Sequence, residues 1–281
     1  MNKPLVTVIV PAYNHENYIE ACLKSVVEQT YDNMQIIVFN DGSTDRTGFV
    51  IEQFIKTHEI EIEYISKENE GLCKTLNKGL AMSKGQYIAI IASDDIWLPN
   101  KIEEQVSLLE KNRNLGLVCT DAYFLRGEIE TKVRYSDYKT KLKRYFKNSV
   151  QNTNIYEALL VENFILAVTV MTRKECFNIV GVFDESLKYE DYDMWLRISS
   201  NYPIGFIDTP LAYYRTHENN ISNNTGLMLR GALQSISKQF EKNNSLEKKP
   251  IKKIVLLFRF FLNVSRNRIA KIIIMNNNKK D

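Results

Sequence analysis

Two adjacent aspartates, Asp94 and Asp95, follow an apolar run, Ala89-Ile90-Ile91-Ala92, and Ser93, with Ile96-Trp97-Leu98-Pro99 behind them. A buried strand that ends this way carries two carboxylates to the edge where open α/β sheets bind ligands. The pair repels itself, so a hard cation such as Mg2+ or Mn2+ is its natural partner, and such an ion would most usefully hold a diphosphate. Helix capping competes as an explanation, because Asp is a favoured N-cap residue. Two more turns end in polar tips. Val6 to Val10 runs into Pro11-Ala12-Tyr13-Asn14, and Met34 to Phe39 into Asn40-Asp41-Gly42-Ser43-Thr44-Asp45. Asp41 can accept a hydrogen bond from a base or ribose, and Tyr13 offers a flat face for stacking. Gly42 lets backbone approach a ligand, while Ser43 or Thr44 suits a helix cap. Each alone reads as a capped turn; three on one sheet edge describe a nucleotide site. A further acidic pair, Glu190-Asp191, opens a helix whose dipole by itself favours acids.

The elements that must position these groups alternate at short intervals. Ile19, Cys22, Leu23, Val26 and Val27 recur at helical spacing, as do Val50, Ile51, Phe54 and Ile55. Strands are predicted at Ile60 to Ile65, Tyr87 to Ala92 and Leu117 to Thr120, with helices at Leu72 to Met82 and about Asn100 to Lys111. Strand–helix alternation implies an α/β fold: a mostly parallel central sheet with helices on both faces. Beyond Asp121 the pattern weakens. Asp121 lines a cavity or bonds local backbone. Arg126 to Lys147 is basic, with Tyr135, Tyr138 and Tyr145 interleaved and Tyr123 just before it, which fits a nucleic-acid surface, a sugar- or lipid-facing groove, or a solvated, partly helical segment. Ala167 to Met171 is predicted as a strand, a helix starts near Asp191, and short strands fall at Ile204 to Ile207 and Leu211 to Tyr214.

With 281 residues, 44% hydrophobic and 25% charged, the composition is that of an ordinary globular protein. The four cysteines, Cys22, Cys73, Cys119 and Cys176, match no metal spacing or compact disulfide framework, so a reducing compartment is expected. No signal peptide or membrane-spanning run is expected either. The net charge of +3 hides an asymmetry: Glu247 to Asp281 holds ten Lys or Arg against two acids, leaving 27 basic and 32 acidic side chains before it. An acidic body with a basic tail suggests that the tail meets an anionic surface.

VTVIVPAYN (6–14), NDGSTD (40–45), ASDD (92–95), YEDYDMWLR (189–197) and YRTHENNIS (214–222) together resemble family 2 glycosyltransferases, enzymes of the GT-A fold. The likeness spans about residues 3 to 222. It implies a GT-A domain at 1–222, with a nucleotide-sugar-binding half at 1–121 and an acceptor half at 122–222. It further implies a nucleotide-sugar donor, usually a UDP-sugar, and inversion at the anomeric carbon. By position, Pro11, Tyr13, Asn14, Asp41 and Asp94 bind the donor, with Asp41 on uracil, Tyr13 stacked near it and Asp94 on the ribose. Asp95 holds Mn2+ or Mg2+ on the diphosphate, and His217 sits near that ion. Asp191 matches the general base, with Glu190 as its alternative. Many relatives place Arg before Asn in the helix where this chain has Leu76-Asn77; Lys74, one turn earlier, would supply that charge to the phosphates.

Residues 223–281 are expected to form a helical extension. Lys252, Arg259, Asn263 and Arg266 share one helical face, giving a basic amphipathic tail suited to an anionic membrane surface; a helix folded back on the domain is the alternative. The acceptor implied is a glycan or lipid-linked glycan in surface-polysaccharide synthesis, at the cytoplasmic face of the membrane. No nucleic-acid partner is expected, since no recognisable module accompanies the bases. The rival functions are a catalytically inactive nucleotide-sugar-binding module and a nucleotidyltransferase. The latter usually carries a Gly-rich phosphate loop where this chain has Pro11-Ala12-Tyr13-Asn14.

Overall fold

The computed structural model describes residues 3–139, 141–146, 155–187, 190–218 and 220–242. Its first half is built from β1 (Val6–Ala12), α1 (Ile19–Val27), β2 (Met34–Asp41), α2 (Thr47–His58), β3 (Glu63–Lys67), α3 (Leu72–Met82) and β4 (Tyr87–Ile90). The four strands pair in parallel in the order β3-β2-β1-β4. Val6, Val8, Ile9 and Val10 have no exposed surface, as expected for a parallel strand covered on both faces. Gly79 lets α3 sit directly on β1: a Cβ there would meet the Ile9 side chain at 2.8 Å.

The second half is mixed. It comprises β5 (Ile96–Trp97), α4 (Lys101–Lys111), β6 (Leu117–Arg126), β7 (Ile129–Arg134), α5 (Tyr135–Tyr138), α6 (Lys141–Phe146), α7 (Ile155–Leu159), β8 (Met171–Arg173), α8 (Cys176–Val180), α9 (Asp191–Ser199), β9 (Ile204–Thr216) and α10 (Thr225–Lys242). The sheet continues β4-β8-β6-β9-β5, with β7 hairpinned onto β6. Strand β8 runs antiparallel to β4 and β6, β9 parallel to β6, and β5 antiparallel to β9.

The mostly parallel sheet expected from the sequence is thus wholly parallel only in the first half; in the second half the β6–β9 pair is parallel and the rest antiparallel. Ala167–Thr169 is a 3-10 turn rather than a strand, and only Met171–Arg173 joins the sheet. The reason is visible in its carbonyls. Val168 O accepts Trp97 Nε1 at 2.9 Å and Thr169 O accepts Gln105 Nε2 at 2.8 Å, so side chains satisfy what a ladder would otherwise bond. The two short strands predicted around 204–214 are one long β9. Pro210 stays within it because it stands at a bulge opposite Asp121, where a missing N–H is tolerated.

Helix α10 folds back on the body against α9, burying Ala232, Ile236 and Phe240. The basic segment 247–281, with the faces predicted for it, lies outside the described residues.

Candidate functional site

The site begins at the turns after β1, β2 and β4, which parallel pairing brings to one edge. The first two turns are laced together. Asn14 adopts a left-handed backbone (φ 53°), its Oδ1 accepts the Thr44 amide at 2.8 Å, and its own amide donates to Ser43 Oγ at 3.0 Å. Asp45, not Ser43 or Thr44, accepts the Thr47 amide at the start of α2, and it also accepts the Glu16 amide. Tyr13 is 47% exposed beside this lacework, with Pro11 half-buried beneath it in β1.

Asp41 is buried and its carboxylate is engaged by protein. It accepts the amides of Glu70 at 3.0 Å and Gly71 at 3.1 Å, and it pairs with Lys67. Gly42 (φ 71°) makes this loop contact close, for a Cβ there would meet the Asn69 amide nitrogen at 2.5 Å. Lys74 is exposed on the first turns of α3.

Asp94 and Asp95 diverge from one tight turn, closed by the Asp95 amide on Ala92 O at 3.0 Å. Asp94 Oδ2 lies 3.0 Å from His217 Nε2 and 3.4 Å from Asn220 Nδ2. Asp95 Oδ1 accepts the Arg215 amide at 2.8 Å, so this carboxylate ties the turn to β9. Fully buried Arg215 completes the tie: Nε donates to Asp94 O at 2.6 Å, while Nη1 reaches Gly127 O and Glu128 Oε1. Burial and the charge of Asp94 push the Asp95 carboxyl well above the usual carboxylate range. Burial acts on Asp94 in the same sense, yet the hydrogen bond from His217 and the positive charge available on His15 hold it below that range. The two acids are therefore driven apart by environment.

His15 joins them. Its Nδ1 lies 2.7 Å from Ser93 Oγ, and one ligand-capable atom from each of His15, Asp94 and His217 falls within 4.8 Å of the others. Tyr18 stacks on the His217 ring at 4.9 Å and meets the His15 ring edge-on at 5.9 Å. His217 Nδ1 is buried with no hydrogen-bond partner. Two imidazoles and a carboxylate within reach of one another fit a divalent cation.

Glu190 and Asp191 stand at the start of α9. Glu190, Asp191 and Trp195 line a largely apolar pocket with Leu76, Ile90 and Phe183. Burial raises the Glu190 carboxyl to about 7. Burial raises the Tyr214 hydroxyl, with the charges of Asp95, Asp94 and Asp191 adding to it, and that hydroxyl pairs with Ser222 at 2.9 Å. Tyr135 also feels Asp191, and Phe124, Tyr135, Tyr138 and Tyr214 form an aromatic cluster. Asp121 has the local role: its buried carboxylate accepts the Ser136 amide and hydroxyl and pairs with Arg134 Nε at 2.7 Å.

His15, Tyr18 and Arg215 were not singled out from the sequence. His15 directly follows the predicted donor residues, yet its relation to His217 depends on β9 returning to the edge of the first turns. Arg215 stands inside the quoted YRTHENNIS segment, where its type alone gives no sign that it is buried.

Residues 7–163 match the family model described as Glycosyl transferase family 2. An uncharacterized glycosyltransferase of Haemophilus influenzae is 38% identical over 229 residues, 79% of this chain and 68% of its own length. An uncharacterized glycosyltransferase of Rickettsia typhi is 36% identical over 203 residues, 71% of this chain. The chain spans 61% of that relative and 34% of a counterpart in Rickettsia felis. Among solved structures, a Pyrobaculum calidifontis mannosyltransferase in complex with GDP-Man and Mn2+ superposes with a TM-score of 0.69 at 18% identity, covering 99% of this chain and 80% of that one. Residues 1–349 of S. aureus TarS in complex with UDP-GlcNAc give 0.64 at 18% identity, over 91% and 71%. At such identities the likeness is one of fold.

Proposed function

The chain belongs to glycosyltransferase family 2, and from that premise we propose that it transfers a sugar, with inversion, from a nucleoside-diphosphate donor to a hydroxyl of a glycan or lipid-linked glycan. The observation that carries this reading is the common edge holding Asp94, Asp95, His15 and His217, with Asp191 in electrostatic reach of the same Tyr214. UDP-sugars are the first donors to test; the solved relatives contain UDP-GlcNAc in one case and GDP-Man in another.

Asp94 and His217 would hold Mn2+ or Mg2+, with Asp95 holding the turn rather than the ion, since its Oδ1 bonds Arg215. When bound, such an ion neutralises charge gathering on the departing diphosphate. Tyr13 presents an open face to the base, and Asp41 acts through the loop whose Glu70 and Gly71 amides it fixes. Lys74 is exposed where it can meet phosphate oxygens from solvent. On the acceptor side Asp191 takes the hydroxyl proton as that oxygen bonds the anomeric carbon and the bond to the diphosphate breaks. Direct displacement needs only this base and a stabilised leaving group. Glu190, raised to about 7 by burial, sits beside it as a neutral neighbour at lower pH and a second carboxylate at higher pH. The segment 247–281 is assigned to an anionic membrane surface on the cytoplasmic side, where a lipid-linked acceptor would be found.

The test has two parts. Calorimetry with UDP, GDP, CDP and ADP, with and without Mn2+, should show metal-dependent binding of UDP. Binding of GDP or CDP instead redirects the donor search, and no binding by folded protein favours the inactive-module reading. Asp191→Asn should bind the same nucleotide as wild type but transfer sugar roughly 10²–10⁴-fold more slowly, the usual worth of a positioned base. Transfer at near wild-type rate removes Asp191 from that role.

A further inference from the structure

The residues around Asp94 say more about the cation than that one binds. Family resemblance and sequence pointed to carboxylates and His217; the structure adds His15, from the opposite end of the chain. We propose that His15 completes the cation site, so that two imidazoles and one carboxylate select Mn2+ or Co2+ over Mg2+. This rests on the proposed donor site for the ion's role, but the binding of the ion itself stands on the triad.

Geometry favours a built site over a chance cluster. The ligand-capable atoms of His15, Asp94 and His217 lie within 4.8 Å of one another. Each ring is held from behind. Ser93 Oγ fixes His15 through Nδ1, and Tyr18 stacks on His217 while presenting its edge to His15. Tyr18 is itself backed by the Arg215 guanidinium, 4.8 Å from its ring centre. Supporting contacts of this kind fix ring orientation and tautomer in metal centres. The His217 side chain is only 9% exposed, and its Nδ1 has no partner inside the protein. Nε2 is the nitrogen that faces Asp94, so it is the ligand atom this ring offers to a shared ion.

Ligand chemistry then sets the preference. Mg2+ favours an all-oxygen octahedron and gives up water reluctantly. Imidazole nitrogens suit the transition metals, and affinity rises from Mn2+ to Co2+ along the usual order. A site with Asp94 alone would treat Mg2+ and Mn2+ similarly; adding two imidazoles separates them. The ion would also bridge the turn after β1 to the segment after β9, joining regions that meet only in the fold.

The experiment uses full-length, metal-stripped protein without nucleotide. Calorimetric titration with MnCl2 and MgCl2 should show Mn2+ binding at least about tenfold tighter, as expected where nitrogen ligands favour the transition metal. His15→Asn, which keeps the backbone bond from His15 to Thr47 Oγ1, should lose at least about tenfold in Mn2+ affinity, since even supporting residues cost that much. Its Mg2+ affinity should scarcely move. Electron spin-echo spectroscopy of bound Mn2+ should show nitrogen couplings from two imidazoles in wild type and from one in His15→Asn. Unchanged Mn2+ affinity and nitrogen signal in the variant would overturn the proposal while leaving the donor site standing. Should the variant's melting temperature fall, the wild-type spectrum decides alone: two coupled imidazoles support the assignment and one overturns it. If wild type binds neither ion, the triad is no cation site, and metal-dependent UDP binding remains the separate test of the donor reading.

Discussion

Glu190 and Asp191 show how much a single side chain's surroundings can change its chemistry. Both open α9, where the helix dipole favours negative charge, yet burial raises Glu190 to about 7. In an unfolded chain Glu190 loses its proton near the ordinary value of about 4.3. Between that pH and about 7 the folded state therefore holds a proton the unfolded state has released. Stability must fall as pH rises across this window and level off above it. Glu190→Gln removes the titrating group, so its melting temperature should decline less between pH 4.5 and 7 than wild type's. Thermal melts at half-unit steps check this. Parallel curves for the two proteins would mean that Glu190 is not held protonated in the folded state. Asp193, three residues after Glu190, is by contrast structural: it pairs with Arg197 at 2.8 Å and Lys238 at 3.1 Å, and Arg197 donates to the carbonyls ending α8. The motif containing these acids thus divides into the acids proposed for chemistry and a packing remainder.

At the scale of elements, β9 organises the site. It brings Arg215 beneath the Asp94–Asp95 turn and His217 beside Asp94. Arg215 has no exposed surface and donates to backbone at two separate turns, Asp94 O and Gly127 O. Arg215→Ala should cost about 3 kcal/mol, from charged hydrogen bonds lost and a cavity left behind, and should weaken nucleotide binding as the turn loosens. Denaturant melts and calorimetry together check it; a stable variant with normal binding would show that the turn holds itself. How much of this was legible follows the same division. Helix α3 was readable to its ends because Leu72, Leu76 and Leu80 mark one face and Gly85 follows. β1, β2 and β4 were readable because they are buried and run apolar, whereas the edge strand β3, only half-buried, lies at Glu63–Lys67 rather than at the expected Ile60 to Ile65. β5, two residues long, carries no periodicity of its own and exists through pairing with β9, while β9, interrupted by Pro210, read as two short strands and becomes one by pairing along β6. The acids of the site and most of its strands were therefore visible in the sequence, while the pairing that brings His15 and Arg215 to those acids was not.

At the scale of the molecule, the question is where the body ends and the tail begins. The sequence reading placed the extension at 223–281 as one unit, but its described part belongs to the body. α10 buries Ala232, Ile236 and Phe240, and Lys238 reaches Asp184 at 2.5 Å and Asp193 at 3.1 Å. The hydrogen bond from Lys238 holds Asp184 down at about 2, so the pair persists across the whole neutral range. Removing 247–281 leaves all these contacts in place, whereas removing 225–281 strips α9 of one of its packing partners and takes Lys238 from Asp193, which keeps Arg197. The shorter deletion should keep the wild-type melting temperature and the longer should lower it by several degrees, as loss of a packed helix demands. Only the 247–281 segment carries the ten bases, so flotation with vesicles containing anionic lipid should recover the full chain and not the 1–246 form, the more so at low salt. Equal recovery of both would place any membrane contact on the body instead. A drop in stability on removing 247–281 would mean that this segment, too, is held by the domain.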